Sequence, residues 1–263
     1  MNYYEEQFQE KFHYPIETNV TKTLIIASTV RSGSHMLGHA LHQTGAFGFP
    51  LEYVNEKNLE RWKSIFNTRA LDDTLAQIQK HRTSPNGVFG IKIHYSHLRQ
   101  LGGFDGLKKL FVNPSFIWLT REDIIAQAVS LSIAKQTGAW ISQQNVENED
   151  VTYDAKQIDE GVRRIIFENA SWQYALNASA SHFLHVNFTD VKNNTASIIR
   201  NIADFMQVDI DTSNLPHKPV TKKQSKHINQ LWIEKFQKQF DGRTQLISLN
   251  NESFFHKLSR KFS

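Results

Sequence analysis

The residues best suited to chemistry in this 263-residue chain are groups that hold anions, and they stand in two clusters. The first is Arg31-Ser32-Gly33-Ser34, which follows the apolar run Leu24-Ile25-Ile26-Ala27 and precedes a helical pattern through Met36, Leu37, Ala40 and Leu41. A strand feeding a Gly/Ser turn at a helix N-terminus converges free backbone N–H groups and the positive end of the helix dipole on one point. Arg31 adds a permanent cation there, and Ser32 and Ser34 add hydroxyl donors. The pattern reads as a cradle for a phosphate or phosphosulfate group. The second cluster is Arg121, at the end of the apolar run Phe116-Ile117-Trp118-Leu119, with Ser130 on the helical stretch that follows. A strand delivers such an arginine to the carboxyl edge of a parallel sheet, where open α/β folds bind ligands, and Ser130 can meet the same anion. Neither G-x-x-x-x-G-K-[ST] nor G-x-G-x-x-G occurs at the first cluster, which disfavours ordinary ATP or GTP hydrolysis and dinucleotide binding.

The elements that must position these groups alternate strand and helix. Apolar runs predict strands at Leu24–Ala27, Val88–Ile93, Phe116–Leu119 and Phe183–Val186. Helical periodicity covers the stretch ending at Thr44-Gly45, then Leu59–Phe66, Leu71–His81, about Asp123–Lys135, Tyr153–Ala178, Thr195–Met206 and Gln230–Phe240. Gly102 to Asn113 reads as a loop with a weak helical piece, and Met1 to Val20 as a lead-in with a short helix before Pro15. Strands buried on both faces and joined by helices give an α/β fold with a central parallel sheet of about four to five strands flanked by helices. The expected division is a lead-in over 1–20, one domain over 21–242 and a polar tail over 243–263.

Composition narrows the class. Hydrophobic residues make up 40% and charged residues 21%, as in a folded globular protein. The net charge of +4 favours anionic ligands without requiring nucleic acid. With no cysteine, disulfides, thiolate metal sites and a cysteine nucleophile are excluded. No apolar run reaches membrane-spanning length, and the acidic, aromatic N-terminus is unlike a signal peptide, so the cytoplasm is the expected compartment.

Four segments carry a family resemblance. STVRSGSH resembles the 5′-phosphosulfate loop of sulfotransferases that use 3′-phosphoadenosine 5′-phosphosulfate (PAPS), and its Arg-Ser-Gly-Ser resembles the bacterial trehalose 2-sulfotransferase-like branch. Arg121 with Ser130, and the run QAVSLSIAKQTGAW, resemble that family's 3′-phosphate motif. PNGVFGIKIHY resembles the segment that puts a lysine, here Lys92, on a central strand, and FPLEYV the segment whose glutamate, here Glu52, acts as general base. The resemblance implies a three-layer P-loop-like fold and transfer of a sulfuryl group from PAPS to a carbohydrate or glycolipid hydroxyl, leaving adenosine 3′,5′-bisphosphate (PAP). It assigns Arg31, Ser32, Gly33, Ser34 and His35 to the 5′-phosphosulfate and Arg121 with Ser130 to the 3′-phosphate. Lys92 offsets charge on the transferring group and Glu52 takes the acceptor proton; no metal is required, and a homodimer is expected.

This chain departs from the family at His35, where threonine is usual. His94 follows Lys92 by two and is the second candidate base. His35, His39 and His42 share a helical face, but the acidic ligand and H-E-x-x-H context of a zinc site are missing. Lysines at 218, 222, 223 and 226 are candidates to fold over a nucleotide, and Trp62, Trp140 and Tyr53 to stack on a sugar, with a solvated charge run and core packing as the plainer readings. The rival classes are a phosphate-loop small-molecule kinase and a non-catalytic nucleotide- or polyanion-binding module.

Overall fold

A computed structural model of the chain describes residues 7–140, 150–213, 215–216 and 227–241. Four parallel strands, β1 (Lys22–Ser28), β2 (Val88–His94), β3 (Pro114–Thr120) and β4 (Phe183–Asn187), make one sheet in the order β2-β1-β3-β4. All four therefore end on the same edge, at Ser28, His94, Thr120 and Asn187. Nine α-helices are described: α1 (Ser34–Gln43), α2 (Glu56–Phe66), α3 (Leu71–Arg82), α4 (Gly103–Leu110), α5 (Ile124–Thr137), α6 (Ala155–Ala178), α7 (Phe188–Asn193), α8 (Thr195–Met206) and α9 (His227–Lys238).

The side-chain alternation of β1 sends Ile25 and Ala27 to one face and Leu24 and Ile26 to the other. The first face packs on Trp62, Ile78, Leu107 and Trp172 from α2, α3, α4 and α6. The second packs on Leu37 and Leu41 of α1 and on Ile199 and Ile202 of α8. A central strand covered on both faces has no polar side to show, which is why it reads as an unbroken apolar run. The result is the three-layer α/β arrangement expected, with four strands.

Two local readings are corrected, and the short helix expected before Pro15 is present as a 3₁₀ turn. The stretch after Gly102 is a true helix, α4, because Leu107 docks fully buried against the sheet and tertiary contact overrides the weak propensity of its glycines. Helix α2 begins at Glu56 rather than Leu59, since Asn55 caps it by accepting from the Lys57 N–H. The lead-in contains a 3₁₀ turn, Glu10–Phe12, and is tied down by buried Arg82, which donates to the carbonyls of Gln7 and Gln9. The four basic-loop lysines, most of the polar stretch 142–150 and the tail 243–263 lie outside the described residues.

Candidate active site

The loop between β1 and α1 is built for close approach. Gly33 sits at φ 92°, a left-handed conformation that a side chain resists, and a Cβ there would lie 2.3 Å from the Phe188 ring. Arg31 also has positive φ, 62°, at a cost on the order of 1–2 kcal/mol. Gln127 of α5 is fully buried and pins the loop, donating from Nε2 to Thr29 Oγ1 at 2.8 Å and to the Val30 carbonyl at 2.6 Å. Ser34 opens α1, while the Ser32 hydroxyl is fully buried with no hydrogen-bond partner among the described residues. An orphaned buried hydroxyl costs free energy unless something fills the place beside it.

The second cluster meets the first. Arg31 Nε donates to Ser130 Oγ at 2.9 Å, and Arg31 Nη1 donates to the Trp140 carbonyl. The Arg121 guanidinium lies 5.0 Å from the centroid of Phe188, the ring against which Gly33 packs. Burial, and then the charge of Arg121, lower the Arg31 pKa to about 10. Burial also lowers that of Arg121, with Asp123 and Glu122 acting against it. Two partly desolvated guanidiniums that sense one another favour an anionic ligand nearby, which would stabilise their charged forms.

The third part of the site centres on Glu52. Its segment Phe47–Tyr53 is squeezed between α1 and β2, where a Cβ on Gly38 would meet the Pro50 carbonyl at 2.3 Å and one on Gly90 the Phe47 carbonyl at 2.2 Å. Lys92 N–H donates to the Leu51 carbonyl, fixing the register, and Asn58 holds the Glu52 carbonyl. The carboxylate then meets four donors. Lys92 Nζ stands 2.8 Å and His94 Nε2 3.3 Å from Oε2, while His97 Nε2 and Asn55 Nδ2 each stand 3.3 Å from Oε1. Burial alone would raise the Glu52 pKa, but Lys92 and then His94, with hydrogen bonds from His94 and His97, hold it well below the usual carboxylate range. Lys92 is 5% exposed, so this ion pair is nearly dry.

Two of the histidines near this carboxylate, His94 and His35, are held toward the neutral form. Burial lowers the His94 pKa against the pull of Glu52, and burial, His39 and Lys92 lower that of His35 further. His35 meets His39 edge-on, ring centroids 4.3 Å apart. His42 faces away, stacked on Phe49 with Nδ1 against the Gly48 carbonyl. The described residues contain no group of three His, Asp or Glu able to hold a metal ion.

The structure thus brings Arg31–His35, Arg121 and Ser130 into one group and Glu52, Lys92 and His94 into another, with His35 electrostatically coupled to both, to Arg31 on one side and to Lys92 and Glu52 on the other. Tyr53 and Trp62 are core residues, each 1% exposed, whereas Trp140 is 42% exposed beside the Arg31 contact. Inspection of the sequence passed over Gln127, Phe188, Ser28 and His97. Only His97 carried a signal, a second histidine three positions after one that ends a strand.

The Stf0 sulphotransferase family model matches residues 23–239. A trehalose 2-sulfotransferase of Mycobacterium tuberculosis is 22% identical over 83% of this chain and 96% of its own length. One from Mycolicibacterium smegmatis is 23% identical over 84% of this chain and 97% of its own. A crystal structure of a sulfotransferase from Alicyclobacillus acidocaldarius superimposes with a TM-score of 0.49 at 11% identity, covering 83% of this chain and 91% of that one.

Proposed function

The chain belongs to the Stf0 sulphotransferase family, and on that premise we propose that it moves a sulfuryl group from PAPS to a hydroxyl of a carbohydrate or glycolipid. The observation that carries the donor assignment is the meeting of a left-handed Gly/Ser turn, with the buried and unpartnered Ser32 hydroxyl, and two neighbouring guanidiniums, Arg31 and Arg121. Loop residues Arg31–His35 bind the 5′-phosphosulfate, and Arg121 with Ser130 binds the 3′-phosphate. The acceptor assignment rests on the trehalose 2-sulfotransferases that the chain resembles.

PAPS supplies an activated sulfuryl group whose bond to the phosphate breaks as the acceptor oxygen bonds to sulfur. The protein's part is to position and to stabilise charge. Lys92 is the cation nearest the base and neutralises the sulfuryl oxygens; Glu52 accepts the acceptor's proton on Oε2. In the ligand-free protein Glu52 is a poor base, because its oxygens are engaged by Lys92, His94, His97 and Asn55. Once Lys92 turns from Glu52 to the sulfuryl group, the carboxylate loses its cation, its proton affinity rises, and the position on Oε2 that Lys92 held becomes available to the acceptor hydroxyl beside the His94 donor. Donor binding thereby arms the base.

The test is calorimetric titration with PAP and with ATP–Mg²⁺, with and without chelator, followed by PAPS turnover over a sugar panel headed by trehalose. Tight, chelator-insensitive PAP binding with sulfated product supports the reading. Binding of ATP only with Mg²⁺ points to the kinase class, and PAP binding without turnover on any sugar to a binding module. The resemblance also carries a homodimer and a cytoplasmic location, open to sedimentation and fractionation.

A further inference from the structure

We propose that His97 is a positioning residue for the transfer, holding the Glu52 carboxylate in place from Nε2 while Lys92 turns to the transferring group. This rests on Glu52 being the base. The geometry leaves the proton of His97 one place to be. The backbone N–H of His94 donates to His97 Nδ1 at 3.3 Å, so Nδ1 is an acceptor and the ring proton sits on Nε2, aimed at Glu52 Oε1. His94 is ordered in the same sense. A carboxylate only accepts, so His94 Nε2 donates to Oε2 and its Nδ1 accepts from the buried Ser28 hydroxyl at 3.1 Å. Ser28 is held in turn by Trp172 of α6, whose Nε1 donates to the Ser28 carbonyl at 3.0 Å.

The carboxylate therefore has two kinds of partner. Lys92 is charged and on a flexible stem; the two imidazoles, each with Nδ1 already accepting from backbone or buried hydroxyl, and the Asn55 amide on Oε1 donate without a full charge. A carboxylate held by the cation alone would lose its aim when the cation leaves. One held by His97 as well keeps its aim without being kept acidic by a full charge. The charged and titratable groups facing Glu52 are Lys92 and His94 from β2, His97 from the 3₁₀ turn Tyr95–Arg99 and His35 from α1.

Two substitutions separate positioning from scaffolding. His97→Asn keeps an acceptor near the Nδ1 position, and with it the cap on the 3₁₀ turn, but removes the donor to Glu52. His97→Gln keeps a donor near the Nε2 position and removes the cap. With PAPS and trehalose, kcat falls about tenfold or more in His97→Asn while the KM for PAPS is unchanged, and His97→Gln recovers most of the loss. A merely structural His97 gives the reverse order, and equal losses or none overturn the proposal. A second measurement needs no acceptor: the Glu52 side-chain carboxyl is titrated by ¹³C NMR in the PAP complex. Its midpoint rises by about one pH unit in His97→Asn, a tenfold change in proton affinity, and stays near the native value in His97→Gln. An unmoved midpoint in His97→Asn overturns the clamp. Native-like turnover in Glu52→Gln instead overturns the base assignment, and the carboxyl titration still decides whether His97 holds that carboxylate.

Discussion

At the scale of single residues, the Lys92–Glu52 pair separates stability from chemistry. Both groups are largely buried, so removing one leaves an uncompensated charge, at a cost of about 3 kcal/mol. Lys92→Met is expected to lower the thermal midpoint clearly. The double variant Lys92→Met/Glu52→Gln should recover most of that loss, because no unpaired charge is left. Neither variant should regain turnover, and Glu52→Gln alone should lose about 10²-fold or more in kcat while still binding PAP. Calorimetry beside product formation checks both. A double variant as unstable as Lys92→Met would mean that the pair is not what links these residues. His35 differs in kind. It is a half-buried ring held toward the neutral form, at the position where the family resemblance leads one to expect threonine, so His35→Thr should change PAP affinity more than fold stability, measured by PAP titration and melting.

At the scale of elements, the start of α7 carries a role that its short length hides. Phe188 supports the Arg121 guanidinium on its ring and closes against Gly33, tying Arg121, the proposed partner of the 3′-phosphate, to the first loop. Phe188→Leu is expected to weaken PAP several-fold while leaving adenosine 5′-monophosphate nearly unaffected, since only the 3′-phosphate depends on Arg121. Arg121→Ala should show the same selectivity more strongly. Equal weakening of both nucleotides would count against the 3′-phosphate assignment. Gly33→Ala meets two obstacles, positive φ and the Phe188 ring 2.3 Å away, so it should impair both nucleotides together.

At the scale of the whole molecule, buried and half-buried histidines held toward the neutral form tie stability to pH. His39 and His13 are held to about 4, and His35 and His94 are also lowered, burial being the first cause in each. The unfolded chain binds these protons near the ordinary value of 6.5, so it takes up more protons than the folded chain as pH falls. Stability is therefore full above about pH 6.5 and drains away toward pH 4. Glu52 adds to the loss below about 4.5, where the unfolded carboxyl protonates first. The thermal midpoint should drop by several degrees between pH 7 and pH 5, and less in His39→Gln. A midpoint flat over that range would mean that these rings are protonated when folded.

The chain's own order of residues was enough to reveal the layers and the Gly/Ser turn between the first strand and helix. Period-two and period-3.6 patterns are local, and so is a Gly/Ser turn between strand and helix. The short helix α7 was beyond that kind of reading and α4 showed only as a weak helical piece, because Leu107 and Phe188 are ordered by partners distant in sequence. The same limit governs the site. That Glu52 and Lys92 belong together rested on likeness to a family, whereas their 2.8 Å contact arises from a segment wedged between α1 and β2. His97, Ser28 and Gln127 are ordinary polar residues in the linear chain. Only the parallel sheet, by ending every strand on one edge, converts them into the supports of a single carboxylate and a single loop.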